Sequence, residues 1–183
     1  DGFVSRGLGD VYKRQNRGND NKLSPLPAKG VDTGMGLERV CRVLQCVDSN
    51  YSTDLFTPIL KAISEITGTQ DAEGEIGVAY RVIADHLRSL SFAIADGAIP
   101  SNEGRGYVLR RMLRRATRFG RVLGMETPFI HKLVPTLAEV MGDAFPEIRQ
   151  QQAHISRVIE SEEASFGYTL DRLSLIHISE PTR

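Results

Sequence analysis

Residues 102–121 read N-E-G-R-G-Y-V-L-R-R-M-L-R-R-A-T-R-F-G-R, seven arginines in twenty positions. At about 100° of turn per residue, Val108, Leu109, Met112, Leu113, Ala116 and Phe119 fall within one arc of roughly 140°. Arg110, Arg111, Arg114, Arg115, Arg118 and Arg121 fill the opposite arc. The spacing therefore predicts a helix with one face for a core and one for a polyanion. A planar guanidinium grips phosphate with paired donors and stacks on bases, which a lysine ammonium does not. A merely solvated face usually mixes both signs of charge, and the only acid in this stretch is Glu103. Nucleic acid is the favoured partner.

Outward from this helix, two segments stand apart from the rest. Ser5–Gln15 (S-R-G-L-G-D-V-Y-K-R-Q) and Leu173–Arg183 (L-S-L-I-H-I-S-E-P-T-R) each have eleven residues. One can be back-translated as the reverse complement of the other: Gln15 as CAG with Leu173 as CTG, Tyr12 as TAT with Ile176 as ATA, Ser5 as TCT with Arg183 as AGA, and so through all eleven pairs. They look like one sequencing adaptor translated on both sides of an insert. We expect residues 1–15 and 173–183 to be non-native tails, and we set them aside when reading the fold.

The insert, Asn16–Arg172, has 157 residues, enough for one domain or the end of one and most of another. The whole chain balances 23 basic against 23 acidic residues, and the insert 19 against 20. Bulk charge thus excludes no partner; the local arginine patch is the informative feature. Cys41 and Cys46 match no zinc spacing and sit in an apolar helical pattern, so buried thiols in a reducing compartment are expected. No stretch approaches the ~20 apolar residues of a membrane span.

Hydrophobic period divides the insert into a short β entry followed by helices. Leu23–Thr33, with Pro25 and Pro27, reads as an edge or terminal strand. A helix follows over about Met35–Val47 with Leu37, Val40, Cys41 and Leu44 at core spacing. Ser52 or Thr53 is expected to cap the next, which Gly68 stops. Gly68–Gly77 reads as a loop, and Val78–Ala95 as a helix broken by Gly97 and Pro100. Beyond the arginine helix, Pro128 opens one helix and Pro146 a last, more polar one that runs to Arg172.

Two motifs carry chemistry. Val31–Arg39 (V-D-T-G-M-G-L-E-R) runs from a strand through a glycine pair into a helix, where backbone can approach an anion and Arg39 adds a fixed positive charge. Asp32 at the strand end supplies a carboxylate for a cationic group. The motif is neither a P-loop nor a dinucleotide fingerprint, and by itself a plain strand-to-helix turn explains it equally well. In the second, Arg105-Gly106-Tyr107 superficially echoes an RNA-recognition-motif signature, but the aromatic β continuation is missing. His86 reads as a packed, hydrogen-bonded histidine, and His131 and His154 as surface residues. Glu160, Glu162 and Glu163 read as a solvated helix face rather than a metal site.

Taken together, Val31–Arg39 resembles motif 3 of class II aminoacyl-tRNA synthetases. With V-D-S-N-Y-S-T-D-L-F (47–56), R-V-I-A-D-H-L-R (81–88) and I-A-D-G-A-I-P-S-N-E-G-R-G-Y-V-L-R-R (94–111), the insert is similar to the alanyl-tRNA synthetase family. The resemblance implies a mainly α fragment: a helical tRNA-recognition domain (48–172) attached to the last strand–turn–helix (16–47) of the family's antiparallel catalytic sheet. It implies alanine activation by ATP with Mg²⁺, then transfer of the alanyl group to tRNA(Ala). Asp32 would hold the alanine ammonium, Gly34 and Gly36 would line the adenylate pocket, and Arg39 would bind ATP phosphates. Asn102 would read a G·U wobble in the acceptor stem through the shallow minor groove of A-form RNA, where an amide can both donate and accept. Arg110, Arg111, Arg114, Arg115 and Arg118 would hold the RNA backbone.

The resemblance implies no catalytic residue and no metal ligand in this piece. Motifs 1 and 2 would lie upstream, and an editing domain with zinc downstream, so the parent would be a cytoplasmic enzyme and this piece alone inactive. The competing reading is a non-catalytic helical module that binds nucleic acid through the arginine helix. The adaptor reading is checked on the source DNA: the codons for Ser5–Gln15 should be the reverse complement of those for Leu173–Arg183, and non-complementary codons would return both ends to the protein.

Overall fold

A computed structural model describes residues 12–31, 34–71 and 73–179. The chain divides into two compact units, Asp1–Cys46 and Val47–Arg183.

In the first unit, β1 (Tyr12–Arg17) and β2 (Leu23–Val31) form an antiparallel hairpin. Asn21 turns the chain at φ 65°, a conformation its short polar side chain tolerates, and Gly18 N–H donates to Lys22 O. Tyr12 pairs with Val31 and Lys13 with Gly30, but Gln15 pairs with Pro25, so β2 bulges between them around Pro27. That is where a proline, lacking an N–H, is tolerated. The expected strand at Leu23–Thr33 is thus present to Val31, and its partner begins inside the adaptor-like segment. Next comes α1 (Leu37–Leu44). Its expected core positions are not buried: no residue of α1 is, and Val43 and Leu44 remain 73% and 77% exposed. A hairpin and one short helix offer no second layer to cover an apolar stripe. Cys46, at φ 53°, lies past the helix end and is exposed rather than buried; both cysteines are free.

The second unit is helical. A 3₁₀ turn at Asn50–Ser52 is capped by Ser49, whose Oγ accepts from Tyr51 N–H. α2 (Thr57–Thr67) has Phe56 at its N-cap with no side-chain cap, so neither Ser52 nor Thr53 plays that role, and Gly68 closes it at φ 69°. α3 spans Glu75–Ala95, beginning three residues earlier than the hydrophobic period indicates because Gly74 makes the turn at φ 80°. α4 spans Gly104–Val122. Pro128 opens no helix directly. A 3₁₀ turn at Ile130–Leu133 leads into α5 (Val134–Met141), and the last expected helix is broken at Gln151 into α6 (Pro146–Gln150) and α7 (Gln152–Ser179).

α3 is the centre of this unit: Tyr80, Ile83, Leu87, Leu90 and Ile94 are fully buried. They pack with Ile59 and Ile63 of α2, Leu113 of α4, Leu137 of α5 and Ile155 and Ile159 of α7. Burying such side chains contributes roughly 1.5–3 kcal/mol each. The Tyr80 hydroxyl donates to Thr69 O at 2.8 Å, satisfying the one polar atom of that ring. Gln151 Nε2 donates to Ala95 O at 2.9 Å, which ties the α6–α7 break to the end of α3.

The carboxyl of Glu163 is also in the interior, only 2% exposed, where it accepts from the N–H groups of Phe129 and Ile130 at 3.1 and 3.0 Å. It caps the Ile130–Leu133 turn from α7, and so is no part of a solvated face. Desolvation by burial outweighs these two bonds and pushes its pKa from 4.5 to about 7. Between these values the folded chain binds more protons at Glu163 than the unfolded chain. Its contribution to stability is full below pH 4.5 and declines as the pH rises to about 7. Glu163→Gln should remove up to about 3 kcal/mol of that pH dependence, measured by chemical denaturation of both forms at pH 5 and pH 8. Equal slopes in the two forms would contradict the assignment.

Candidate nucleic-acid interface

α4 is entered through a loop that leaves little freedom. Ser101 N–H donates to Gly106 O at 3.0 Å, and Ser101 Oγ donates to Glu103 O at 2.9 Å. A Cβ at Gly106 would lie 2.2 Å from Ser101 Oγ and 2.4 Å from Ile99 O, so only glycine fits. Gly104 starts the helix at φ 55°. Asn102 stands exposed on this closed loop.

The buried face of α4 is Leu109, Leu113, Ala116, Thr117 and Gly120. It is rotated from the apolar arc of the sequence: Val108 is 56% exposed, and Met112 and Phe119 are half-buried. The physical reason is close approach. A Cβ at Gly120 would come within 2.5 Å of the Phe129 ring, so the small residues, rather than the most hydrophobic ones, face the neighbours.

This rotation splits the arginines into two sets. Arg110 does not project outward as expected for a phosphate ligand. Its Nε donates to Glu162 Oε2 at 2.9 Å and its Nη2 to Glu162 Oε1 at 2.6 Å, while Nη1 donates to Asn102 Oδ1. The two side chains of the pair are 21% and 23% exposed. Because arginine has no acceptor, the amide atom turned to it must be oxygen. With its oxygen engaged by Arg110, the amide N–H groups of Asn102 are left as its free donors.

Arg111, Arg114, Arg115 and Arg118 are exposed and form no salt bridge among the described residues. Arg114 lies over the Phe166 ring of α7 at 5.2 Å, and Arg115 lies near the Phe119 ring at 6.0 Å. These four line a groove of roughly 640 Å³ with Glu75 and His86 of α3 and with Met112, Phe119 and Val122. Such a groove, lined by four arginines and three apolar side chains, suits a phosphate backbone.

His86 is packed and bonded through Nδ1 to Asp85 Oδ2 at 3.2 Å. That bond is the main cause holding the Asp85 carboxyl below its usual range, with Arg88 and Arg115 adding to it. The guanidinium of Arg88 stacks on Phe56 at 4.6 Å, a packing role. His131 is mostly buried rather than on the surface, with Nε2 3.8 Å from Glu160. His154 is half-buried.

In the other unit, Gly34, Gly36 and Arg39 line a concavity of roughly 370 Å³ with Met35, Val40, Val43 and Leu44. Asp32 lies outside the described residues, as do the side chains of Tyr12 and Ile176. Neither glycine adopts a positive φ, and nothing stands within 4 Å of a Cβ at Gly34. Their smallness is therefore not required by the packing of the described residues. Gly36 is the N-cap of α1, and its carbonyl accepts from the N–H groups of Arg39 and Val40 at 3.0 and 3.1 Å. Among the described residues no cluster of three His, Cys, Asp or Glu side chains could hold a metal, and no helix is long and apolar enough to cross a membrane.

Sequence reasoning missed Glu162 and the buried end of Glu163. Their partners are 52 and 34 residues away, a distance at which period and spacing are silent. The one available signal was imbalance: α4 carries no acid of its own, and α7 offers three within four residues.

Residues 8–176 match the family described as tRNA synthetases class II (A). The chain is 55% identical over 165 residues to an alanine–tRNA ligase of Chlorobium phaeobacteroides, covering 88% of this chain and 19% of that protein. It is 52% identical over 172 residues to the alanine–tRNA ligase of Magnetococcus marinus (93% and 20%), and 50% identical over 161 residues to that of Geobacillus kaustophilus (87% and 18%). It thus spans about a fifth of the length of these relatives. On the extent of the family match, this chain belongs to the class II (A) tRNA synthetases.

Proposed function

We propose that the chain is a piece of an alanine–tRNA ligase, cytoplasmic in its parent cell. Such an enzyme activates alanine with ATP to alanyl-adenylate and transfers it to the 3′ end of tRNA(Ala). The observation that carries this reading is the 50–55% identity to alanine–tRNA ligases along nearly the whole chain. The exposed arginine groove of α4 supports it from the physical side. A non-catalytic helical module is not favoured, because the family match runs over residues 8–176 and so takes in Gly34, Gly36 and Arg39 as well as the arginine helix.

Within this reading, residues 16–47 close the catalytic domain and residues 48–172 recognise tRNA. Arg39 would neutralise triphosphate charge at the positive, N-terminal end of α1, and Asp32 would hold the alanine ammonium. These groups position and stabilise rather than react, which suits an attack by a carboxylate already present on the substrate. Mg²⁺ is expected with ATP, where the phosphates and one or two carboxylates hold it; among the described residues no cluster of three His, Cys, Asp or Glu would hold it by protein ligands alone. Arg111, Arg114, Arg115 and Arg118 would grip acceptor-stem phosphates, and Asn102 would donate to a base edge of the G·U pair in the minor groove.

Two tests follow, both in the full-length enzyme. Asp32→Ala should abolish alanine-dependent pyrophosphate exchange; retained exchange would remove Asp32 from the amino-acid site. The second separates grip from readout. Arg114→Ala should weaken tRNA binding for G·U and G·C acceptors alike and reduce the salt slope by about one unit. Asn102→Ala should narrow the G·U over G·C preference, a base-edge contact being worth about 1–3 kcal/mol, while the salt slope stays put. Equal losses on both acceptors for Asn102→Ala would remove the readout role.

A further inference from the structure

We infer that Glu162 is a positioning residue for base recognition, acting through Arg110 to hold Asn102 as a hydrogen-bond donor. The inference rests on the proposed role of Asn102. It adds residues that contact no base, and it fixes the sense of the hydrogen bond that Asn102 can offer.

The argument begins with the three groups themselves. Asn102 is exposed on a short loop, where its amide would otherwise rotate between two nearly isosteric orientations presenting oxygen or nitrogen. A reader that presents either atom discriminates poorly between a donor and an acceptor on a base. Arg110 removes the ambiguity, since every polar atom of a guanidinium donates and only the amide oxygen can receive it. Arg110 is in turn fixed by two parallel bonds to Glu162, the fork-to-fork geometry that orders both side chains. Glu162 sits on α7, a helix packed against α4, so the amide is oriented by the frame of the domain rather than by its own loop. The result is a relay from α7 through α4 to the loop, with Nδ2 of Asn102 facing outward. Both oxygens of Glu162 are engaged by Arg110, so Glu162 acts on Asn102 through Arg110.

A plain structural salt bridge would place the same charges in the same positions, and the experiment must separate the two. In the full-length enzyme, the ratio of aminoacylation efficiency (kcat/KM) on G·U and G·C acceptor duplexes is measured for four variants, with thermal melting of each. Asn102→Ala sets the size of the readout. Glu162→Gln, close in volume but unable to make the charged fork, should lower the ratio by about five- to tenfold, within the range of one base contact. Glu162→Gln combined with Asn102→Ala should lose no more than Asn102→Ala alone. The decisive variant is the charge swap Arg110→Glu with Glu162→Arg. It restores the α4–α7 ion pair but puts an acceptor beside Asn102, which turns the amide over. The swap should recover melting temperature and still fail to recover the ratio.

Recovery of the ratio by the swap would overturn the relay, because packing alone would then explain it. An unchanged ratio in Glu162→Gln, with a lowered one in Asn102→Ala, would overturn it too while leaving the base-reading role intact. If Asn102→Ala itself leaves the ratio unchanged, the base-reading proposal has failed, and the relay with it.

Discussion

The close seating of α4 is the constraint on which the rest of the helical unit depends. Two glycines set it, one at each end: a methyl group at Gly106 would strike the entry loop, and one at Gly120 would strike the Phe129 ring. Between them the Arg110–Glu162 fork ties the helix to α7. With three points fixed, the helix cannot rotate, so the arginines it exposes are chosen by packing. Arg111, Arg114, Arg115 and Arg118 are left outward because Leu109, Leu113, Ala116 and Gly120 must face inward. An arginine-rich outer face is thus a consequence of a core made of small and apolar side chains.

Charge follows the same logic. An isolated buried carboxylate is expensive, and an arginine stripe repels itself. α7 answers both problems with adjacent residues. Glu162 takes one arginine out of the repelling set, and Glu163 turns inward to satisfy two backbone donors that the Ile130–Leu133 turn would otherwise leave open. Neither carboxylate is merely solvated. The groove that results is positive and has no acid on the α4 side, with Glu75 of α3 as the acid in its lining.

How much of this was legible depended on range. The arginine helix, its ends and its amphipathic character follow from local period, and Gly104–Val122 agrees with the stretch read from sequence. The rotation of its buried face does not: Val108 is more hydrophobic than Gly120, yet Gly120 is inside, because closeness of approach decides and hydropathy does not record it. The same limit applies to α1, whose apolar stripe at Leu37 and Leu44 is correctly spaced but uncovered, since a stripe specifies a face and not the layer that buries it. β1 is not legible for two reasons: its first residues belong to the adaptor-like segment, and Tyr-Lys-Arg-Gln-Asn-Arg has no alternating apolar pattern. In the candidate sites, glycines and exposed arginines were readable as residue types. That Arg110 belongs to Glu162 was not, because no local rule links positions 52 residues apart.

The central claim is that the outward arginines of α4 meet nucleic acid while Arg110 serves the protein. Arginine-selective chemical modification of the chain, read residue by residue by mass spectrometry with and without an acceptor-stem RNA duplex, tests it directly. The account predicts that Arg111, Arg114, Arg115 and Arg118 react freely and become protected by RNA, whereas Arg110 reacts poorly in both states. RNA binding that leaves those four arginines as reactive as before would contradict it.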